Sequence, residues 1–383
     1  MTGEVPFHIS VPTADDVSAV DEVLASGWLT TGRVTEELEK AFSDYLDVPF
    51  AVAVSSGTAA LHLMFLCSQF PPKAEIAVPV MTFASTATSI IHAGFIPRFV
   101  DVYPDTLMLN PGSIPPSTEK TLCAAIPVHF GGVAYDSVDF QHIRDLGLTI
   151  FEDAAHTLPT ELGGRKPGQN GKATAFSFYA TKTIPAGEGG MIVTFDEHIG
   201  EMARRLRLHG MSRGAESRYQ GGTWKYDIEE FGFKYNLTDI AAALALGSLR
   251  TVEVHWQQRS RVAERYDSAF LDDCHLQIPF RRKDGINSWH LYPLRLNLDT
   301  LRIDRDSFIR ELALRGVGSS VHFIPLNYFT AYQRRFELRP GMFPVAEQQF
   351  LRLISLPIWP SMTEADVNRV IESVLSICSE FSA

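Results

Sequence analysis

Phe176-Ser-Phe-Tyr-Ala-Thr-Lys-Thr-Ile-Pro-Ala-Gly-Glu-Gly-Gly-Met191 sets one lysine, Lys182, between two apolar, strand-like runs. Ser177 lies in the first run. The second, Gly190-Met-Ile-Val-Thr194, follows the glycine turn Gly187-Glu-Gly-Gly190. Glycines at such a turn let the backbone approach another group closely. Burial of a lysine on this loop lowers its pKa from the ordinary ~10.4, because a low-dielectric setting disfavours the ammonium form. The neutral amine can attack a carbonyl and form a Schiff base. Taken alone, the stretch also reads as a surface lysine on a hairpin loop. Its partners elsewhere decide between the two.

Outward from the lysine, strand and helix patterns alternate. Leu148 to Asp153 reads as a strand, and so does Thr121 to Val128, with Tyr135 to Leu146 as its helix. Ile96 to Val102 and Glu75 to Pro79 are further strands, and Phe83 to Ala93 is a helix. Phe50 to Val54 is an apolar run that leads through Ser55-Ser-Gly-Thr58 into a helix, Ala59 to Leu66. This alternation predicts an α/β fold, with a mostly parallel central sheet flanked by helices. Functional residues then collect at the carboxyl ends of the strands.

Two helices precede the alternation. Thr13-Ala-Asp-Asp16 reads as a capping box, with Val17, Val20 and Leu24 on the apolar face and Gly27 as the stop. The other runs from Thr35 to Leu46, with Leu38, Phe42 and Tyr45 on its apolar face. After the lysine come a helix from Glu197 to His209 and a polar loop to Tyr226. Leu237 to Arg265 forms one long helical pattern. A boundary near Arg250 divides the chain into 1–250, a large domain with its N-terminal segment, and 251–383, a smaller α+β domain. In the latter, Ser288 to Leu296 and Gly318 to His322 read as strands, and Arg305 to Arg315 and Glu364 to Cys378 as helices.

The chain has 383 residues, enough for two domains, and a net charge of -11. That balance argues against nucleic-acid binding, which needs a basic footprint. Cys67, Cys123, Cys274 and Cys378 are far apart in sequence and form no CxxC pair, so no metal site is read from them. The N-terminus has neither the basic nor the apolar region of a signal peptide. No apolar run approaches the ~18 residues of a membrane span. A cytoplasmic protein is expected.

Three strand-end stretches are chemically complementary. Ser56-Gly-Thr58 sits at a helix N-terminus, where unpaired N–H groups favour a phosphate; it also reads as a plain cap. Asp153 can accept a hydrogen bond from a protonated ring nitrogen, or cap a helix. His156 can touch a polar substituent of a ligand or be a satisfied polar residue. Lys182, with Ser177 as a phosphate partner, is the third element. Phe83 can lie against a ring face, although on its own it reads as a core phenylalanine. An anion cradle, an acid for a ring nitrogen and a nucleophilic lysine together suit pyridoxal 5'-phosphate (PLP). In this reading Lys182 also moves the proton at the reacting carbon.

Several motifs, in order along nearly the whole chain, carry a resemblance. They include Ser26-Gly-Trp-Leu-Thr-Thr-Gly32, Ser55-Ser-Gly-Thr-Ala-Ala-Leu61, Glu152-Asp-Ala-Ala-His156 and Phe176 to Lys182. Gly187-Glu-Gly-Gly190, Lys234-Tyr-Asn-Leu-Thr-Asp239, His290-Leu-Tyr292, Phe343-Pro-Val-Ala-Glu347 and Ser355-Leu-Pro357 continue the series. The chain resembles the nucleotide-sugar aminotransferases, the DegT/StrS-type family of PLP fold type I enzymes. The resemblance implies that Gly57, Thr58 and Ser177 hold the phosphate. Asn236 would reach it from the partner subunit of a homodimer with shared active sites. Asp153 pairs with the ring nitrogen, His156 contacts the ring hydroxyl and Phe83 stacks. Trp28, Thr30, Thr31 and His322 are expected at the sugar. Arg213, Arg218 and Lys225 are candidates for a donor carboxylate or diphosphate, though in a polar loop they also read as a solvated face. Asn327 stands where relatives often carry histidine, and His129-Phe-Gly-Gly-Val lacks a polar residue common after the first glycine.

The implied reaction moves an amino group from L-glutamate to a nucleotide-linked keto-sugar in deoxyamino sugar biosynthesis. Ala180-Thr-Lys-Thr183 with the Gly187-Glu-Gly-Gly190 turn resembles the relatives that aminate C4 of a 4-keto-6-deoxyhexose. The alternatives are a C3-keto-sugar or cyclitol aminotransferase, or a catalytically silent regulatory protein on the PLP fold. A dehydratase on this scaffold carries histidine in place of the lysine, and Lys182 argues against it.

Overall fold

Runs of four or five largely apolar residues form the central sheet, as strands covered on both faces require. In chain order they are β1 (Phe50–Val54), β2 (Glu75–Pro79), β3 (Ile96–Val100), β4 (Leu122–Ala125) and β5 (Thr149–Asp153). A two-residue β6 (Glu161–Leu162) precedes β7 (Ala173–Ser177) and β8 (Gly190–Thr194). The computed structural model describes residues 3–10, 12–115, 121–212 and 225–383. The sheet order is β1-β8-β7-β5-β4-β2-β3. Strands β7, β5, β4, β2 and β3 are parallel, whereas β8 is antiparallel to both β1 and β7. The stretch around Lys182 is therefore the connection between paired strands, with Ser177 opposite Gly190 in register.

Helices α1 (Ala14–Ser26), α2 (Arg33–Leu46), α3 (Gly57–Leu66), α4 (Ala84–His92), α5 (Ser137–Asp145) and α6 (Glu197–Leu206) belong to this half of the chain. The capping box at Thr13 and Asp16 forms as expected, but the face read as apolar does not bury. Val17 and Leu24 are exposed, and α1 buries Asp16 and Val23 instead. The reason lies in α7 (Asp239–Arg250), against which α1 packs. A Cβ at Gly247 would stand 1.9 Å from Asp16 Oδ1, so the missing side chain there lets the cap residue turn inward.

The long helical pattern breaks at Thr251, whose φ of −105° and ψ of 4° separate α7 from α8 (Val252–Phe270). Beyond it lie β9 (Leu276–Gln277), β10 (Gly285–Ile286), β11 (Tyr292–Leu296), α9 (Arg305–Leu314), α10 (Thr330–Phe336), α11 (Pro344–Phe350), β12 (Leu353–Leu356) and α12 (Glu364–Glu380). A three-stranded sheet, β12-β11-β9, packs on a core that includes Tyr266, Phe270, Tyr292, Phe308 and Val370. The strand expected from Ser288 begins only at Tyr292, because Trp289 takes a φ of +53° and donates its backbone N–H to Asn287 Oδ1. The strand expected over Gly318 to His322 is reduced to an isolated bridge between Ser320 and Ser355.

Candidate active site

The carboxyl ends of β5 and β7, the N-termini of α3 and α4, and the segments around His290 and His322 enclose a cavity of about 460 Å³. Gly57, Thr58, Phe83, Asp153, His156, Ser177, Lys182 and His322 all line it. These eight residues span most of the sequence, and the parallel sheet brings them to one edge.

The anion cradle begins at α3. Ser56 caps the helix, its side chain accepting from Ala59 N at 3.1 Å. The N–H groups of Gly57 and Thr58 head the helix with no intrahelical carbonyl behind them. A Cβ at residue 57 would lie 2.8 Å from Ser177 Cβ, so glycine lets the helix N-terminus and the Ser177 hydroxyl share one small space. A Cβ at Gly190 would meet the Ser56 carbonyl at 2.6 Å and Gly57 N at 2.7 Å. Two glycines thus bring the lysine-bearing strands against the cradle.

Asp153 ends β5 and is 4% exposed. Its Oδ2 accepts from Thr86 Oγ1 at 2.8 Å, and Thr86 pairs in turn with Thr82 Oγ1 at 2.8 Å. Its Oδ1 accepts from Ala155 N at 3.1 Å. No helix follows Asp153, so it is not a helix cap. Burial pushes its carboxyl above the usual range, outweighing these hydrogen bonds and the attraction of Lys182. A carboxylate held in this way is best satisfied by a cation placed against it.

Lys182 is fixed by its loop. Its backbone N–H donates to Tyr179 O at 2.8 Å, and Thr183 Oγ1 donates to Thr157 O at 2.6 Å. Burial brings the amine down to about 8, with Asp153 opposing that shift. His156 Nδ1 accepts the Gly131 N–H at 3.2 Å, and burial keeps the ring well below its ordinary pKa. The neutral ring therefore carries its proton on Nε2, as a donor. Phe83 is 60% exposed, which overturns the core reading and leaves its ring at the cavity wall, 6.0 Å from the Phe323 ring. His322 is lowered to about 4 by burial and by Lys182, and its Nδ1 pairs with Ser355 Oγ at 2.9 Å.

Other expected residues stand elsewhere. Asn236 Nδ2 donates to Thr31 Oγ1 at 2.8 Å and to Thr30 Oγ1 at 3.4 Å, and Trp28 Nε1 donates to Thr31 O at 3.1 Å. This cluster adjoins the start of α7, where Asp239 collects the N–H groups of Gly32 and Thr35 at 2.9 and 3.0 Å. None of Trp28, Thr30, Thr31 or Asn236 lines the Lys182 cavity of the same chain. Trp28 lines a separate cavity of about 520 Å³ between α1, α2 and α7. Arg213 and Arg218 lie outside the described residues, and Lys225 does not line the Lys182 cavity. Asn327 is fully buried and donates to Glu347 Oε1 at 2.8 Å, so that departure falls in the packing around Glu347.

Sequence reasoning missed Thr82, His290 and Phe323 as cavity residues, together with Thr86 behind Asp153. The i, i+4 spacing of Thr82 and Thr86 at the start of α4 was a signal for the hydroxyl pair. His290 stood out only within the His290-Leu-Tyr292 motif, with no role attached to it, and Phe323 gave no signal, because long-range contacts place both.

The residues fit PLP. The cradle would hold a phosphate, Asp153 would face a protonated ring nitrogen, the His156 Nε2–H would meet a ring hydroxyl, and Lys182, its amine lowered to about 8, would supply the nucleophile. These features define a lysine enzyme built around that cofactor. Residues 12–375 match the DegT/DnrJ/EryC1/StrS aminotransferase family, and the chain belongs to it. The spore coat polysaccharide biosynthesis protein SpsC of Bacillus subtilis is 39% identical over 97% of this chain and 97% of its own. Spr1654 of Streptococcus pneumoniae, solved in its PMP form, superposes with a TM-score of 0.90 at 29% identity, covering 98% of this chain and 99% of that one. Helicobacter pylori PseC, an aminotransferase in pseudaminic acid biosynthesis, has a TM-score of 0.90 at 26% identity, covering 99% and 100%. The protein is a PLP-dependent sugar aminotransferase of fold type I. Among the described residues no helix is long and apolar enough to cross a membrane.

Proposed function

We propose that the enzyme transfers the amino group of L-glutamate to C4 of a nucleotide-linked 4-keto-6-deoxyhexose. The observation that supports the amino-transfer chemistry is the fixed loop of Lys182, with its amine at about 8 in a cavity shared with Asp153 and the anion cradle. When bound, PLP supplies a conjugated ring that takes up the electron pair left as a proton leaves the reacting carbon. Lys182 removes and returns that proton, a task suited to an amine that titrates near the working pH. Asp153 keeps the ring nitrogen protonated, and the His156 Nε2–H supports the ring hydroxyl oxygen.

Two relatives carry names tied to sugar synthesis, SpsC in spore coat polysaccharide and PseC in pseudaminic acid. The C4 assignment rests on the resemblance of Ala180-Thr-Lys-Thr183 and Gly187-Glu-Gly-Gly190 to C4-aminating relatives. The Thr183 bond to Thr157 fixes the path of that loop, which limits how a pyranose can be turned toward Lys182. We take the active unit as a homodimer in which Asn236 and the Trp28 to Thr31 segment complete the partner's site. The small domain, in this reading, begins at the Thr251 break.

Matched 3-keto and 4-keto nucleotide sugars, offered to the PMP form, test the reading. NMR of the product is expected to place the new C–N bond at C4. A bond at C3, or turnover of a free keto-cyclitol alone, overturns the assignment.

A further inference from the structure

His290 lines the Lys182 cavity and is 9% exposed. Its ring centroid lies 4.5 Å from that of His156. Among the described residues its side chain has a ring contact but no hydrogen-bond partner. Nor are its nitrogens sealed away, as His62 Nε2 and Arg259 Nη2 are. His290 is one of the residues that line the cavity, so a ligand there stands beside its ring. A polar side chain that is nine-tenths buried and unpartnered costs free energy unless a ligand completes it.

The surrounding contacts hold the ring in this position. Ser288 Oγ donates to His156 O at 2.7 Å, and Arg259 Nε donates to Ser288 O at 3.0 Å. Leu291 N donates to Gly131 O at 3.4 Å. Trp289, at a φ of +53°, turns the chain between these anchors, and the Arg281 guanidinium lies 4.6 Å over its ring. The segment is tied to the same turn that orients His156.

The cofactor's polar groups are already matched by the cradle, Asp153 and His156, which leaves His290 for the substrate. Burial and the cationic or polar neighbours Lys182, His156, His322 and His8 keep the ring neutral, with one donor and one acceptor. A hydroxyl can meet both ring nitrogens' needs in turn, donating its one hydrogen or accepting on a lone pair. A carboxylate can meet only the ring N–H and leaves the acceptor nitrogen unanswered.

We propose that the imidazole of His290 binds a hydroxyl group of the amino-acceptor sugar and so distinguishes acceptor from donor. The inference rests on the sugar-acceptor reading given above. L-Glutamate has no hydroxyl on its side chain, so the two half-reactions separate the two ligands. His290→Phe keeps a ring and removes both nitrogens, and His290→Gln keeps a donor and an acceptor.

In single-turnover absorbance measurements on the holoenzyme, conversion of the PLP form by L-glutamate is expected to stay within about twofold of wild type in His290→Phe. Reaction of its PMP form with the nucleotide keto-sugar is expected to need about tenfold to a hundredfold more sugar for half saturation. Calorimetric binding of a non-reacting nucleotide hexose should weaken by a similar factor, and His290→Gln should recover part of both. Equal losses in the two half-reactions, or unchanged hexose binding in His290→Phe, overturn the role of His290. If the wild-type PMP form accepts no nucleotide keto-sugar at all, the acceptor reading itself falls, and this inference with it.

Discussion

Thr86 Oγ1 donates to Asp153 Oδ2 at 2.8 Å across 67 residues of sequence, tying the first turn of α4 to the end of β5. The bond opposes the burial that raises the Asp153 carboxyl. In the proposed reading Asp153 must be ionised to hold a protonated ring nitrogen. Activity therefore falls as the pH drops through its folded pKa, and losing the Thr86 bond raises that pKa further. Thr86→Val is expected to move the acid limb of the kcat/KM profile to higher pH and to cut kcat at neutral pH about fivefold to tenfold. An unmoved acid limb would make the bond purely structural.

Lys182 and Asp153 oppose one another in a second measurable way. Burial lowers the amine to about 8, and the Asp153 carboxylate limits the shift. PLP uptake by the apoenzyme requires the neutral amine, so its rate should rise with pH around a midpoint near 8 instead of near an ordinary lysine's ~10.4. In Asp153→Asn the favourable charge is gone and the midpoint should fall below that of wild type. The same variant should still bind PLP yet lose about a hundredfold or more in kcat. Stopped-flow absorbance across pH checks the first point and steady-state kinetics the second; near-normal turnover would remove Asp153 from the ring nitrogen.

The cradle depends on missing atoms. Gly57→Ala puts a Cβ 2.8 Å from Ser177 Cβ, so the helix N-terminus and the serine must separate. The expected result is a PLP dissociation constant raised about tenfold or more, accompanied by a lower melting temperature of the apoenzyme from the same overpacking. Fluorescence titration of PLP and thermal unfolding of the apo form measure the two effects. Unchanged PLP affinity would place the phosphate elsewhere.

The lysine loop was legible because local features specify it: apolar strands on both sides, a serine in the first and glycines before the second. Asp153 and Ser56-Gly-Thr58 were legible for the same reason, as strand ends that lead into turns or helices. Phe83 was ambiguous because its exposure depends on what covers the N-terminus of α4, and the open cavity decides it. The buried face of α1 was misread because Val17, Val20 and Leu24 have the right period, while the partner surface is cut at Gly247 to receive Asp16. The motif His290-Leu-Tyr292 marked the position of His290 but not its place in the cavity, since that follows from the positive φ of Trp289 and from contacts such as Ser288 to His156, 132 residues apart.

Asn236 offers the sharpest test of a shared site. Its side chain binds Thr31 and Thr30 of its own chain, outside its own Lys182 cavity, and α1 presents exposed Val17 and Leu24 nearby in sequence to the Trp28 segment. If Asn236 serves the phosphate of a second copy, a chain lacking Lys182 and a chain lacking Asn236 fail at different sites. In a Lys182→Ala homodimer both sites lack the amine. In an Asn236→Asp homodimer both sites set an extra carboxylate against the phosphate, which repels it. A hybrid dimer joins the intact Lys182 of one chain to the intact Asn236 of the other at one of its two sites. Random exchange of equal amounts makes half the dimers hybrid, so activity should recover to about a quarter of the wild-type value per site. Mass spectrometry of differently tagged chains confirms the exchange, and assay of the mixture reads the recovery. Confirmed hybrids without recovered activity would confine Asn236 to its own chain.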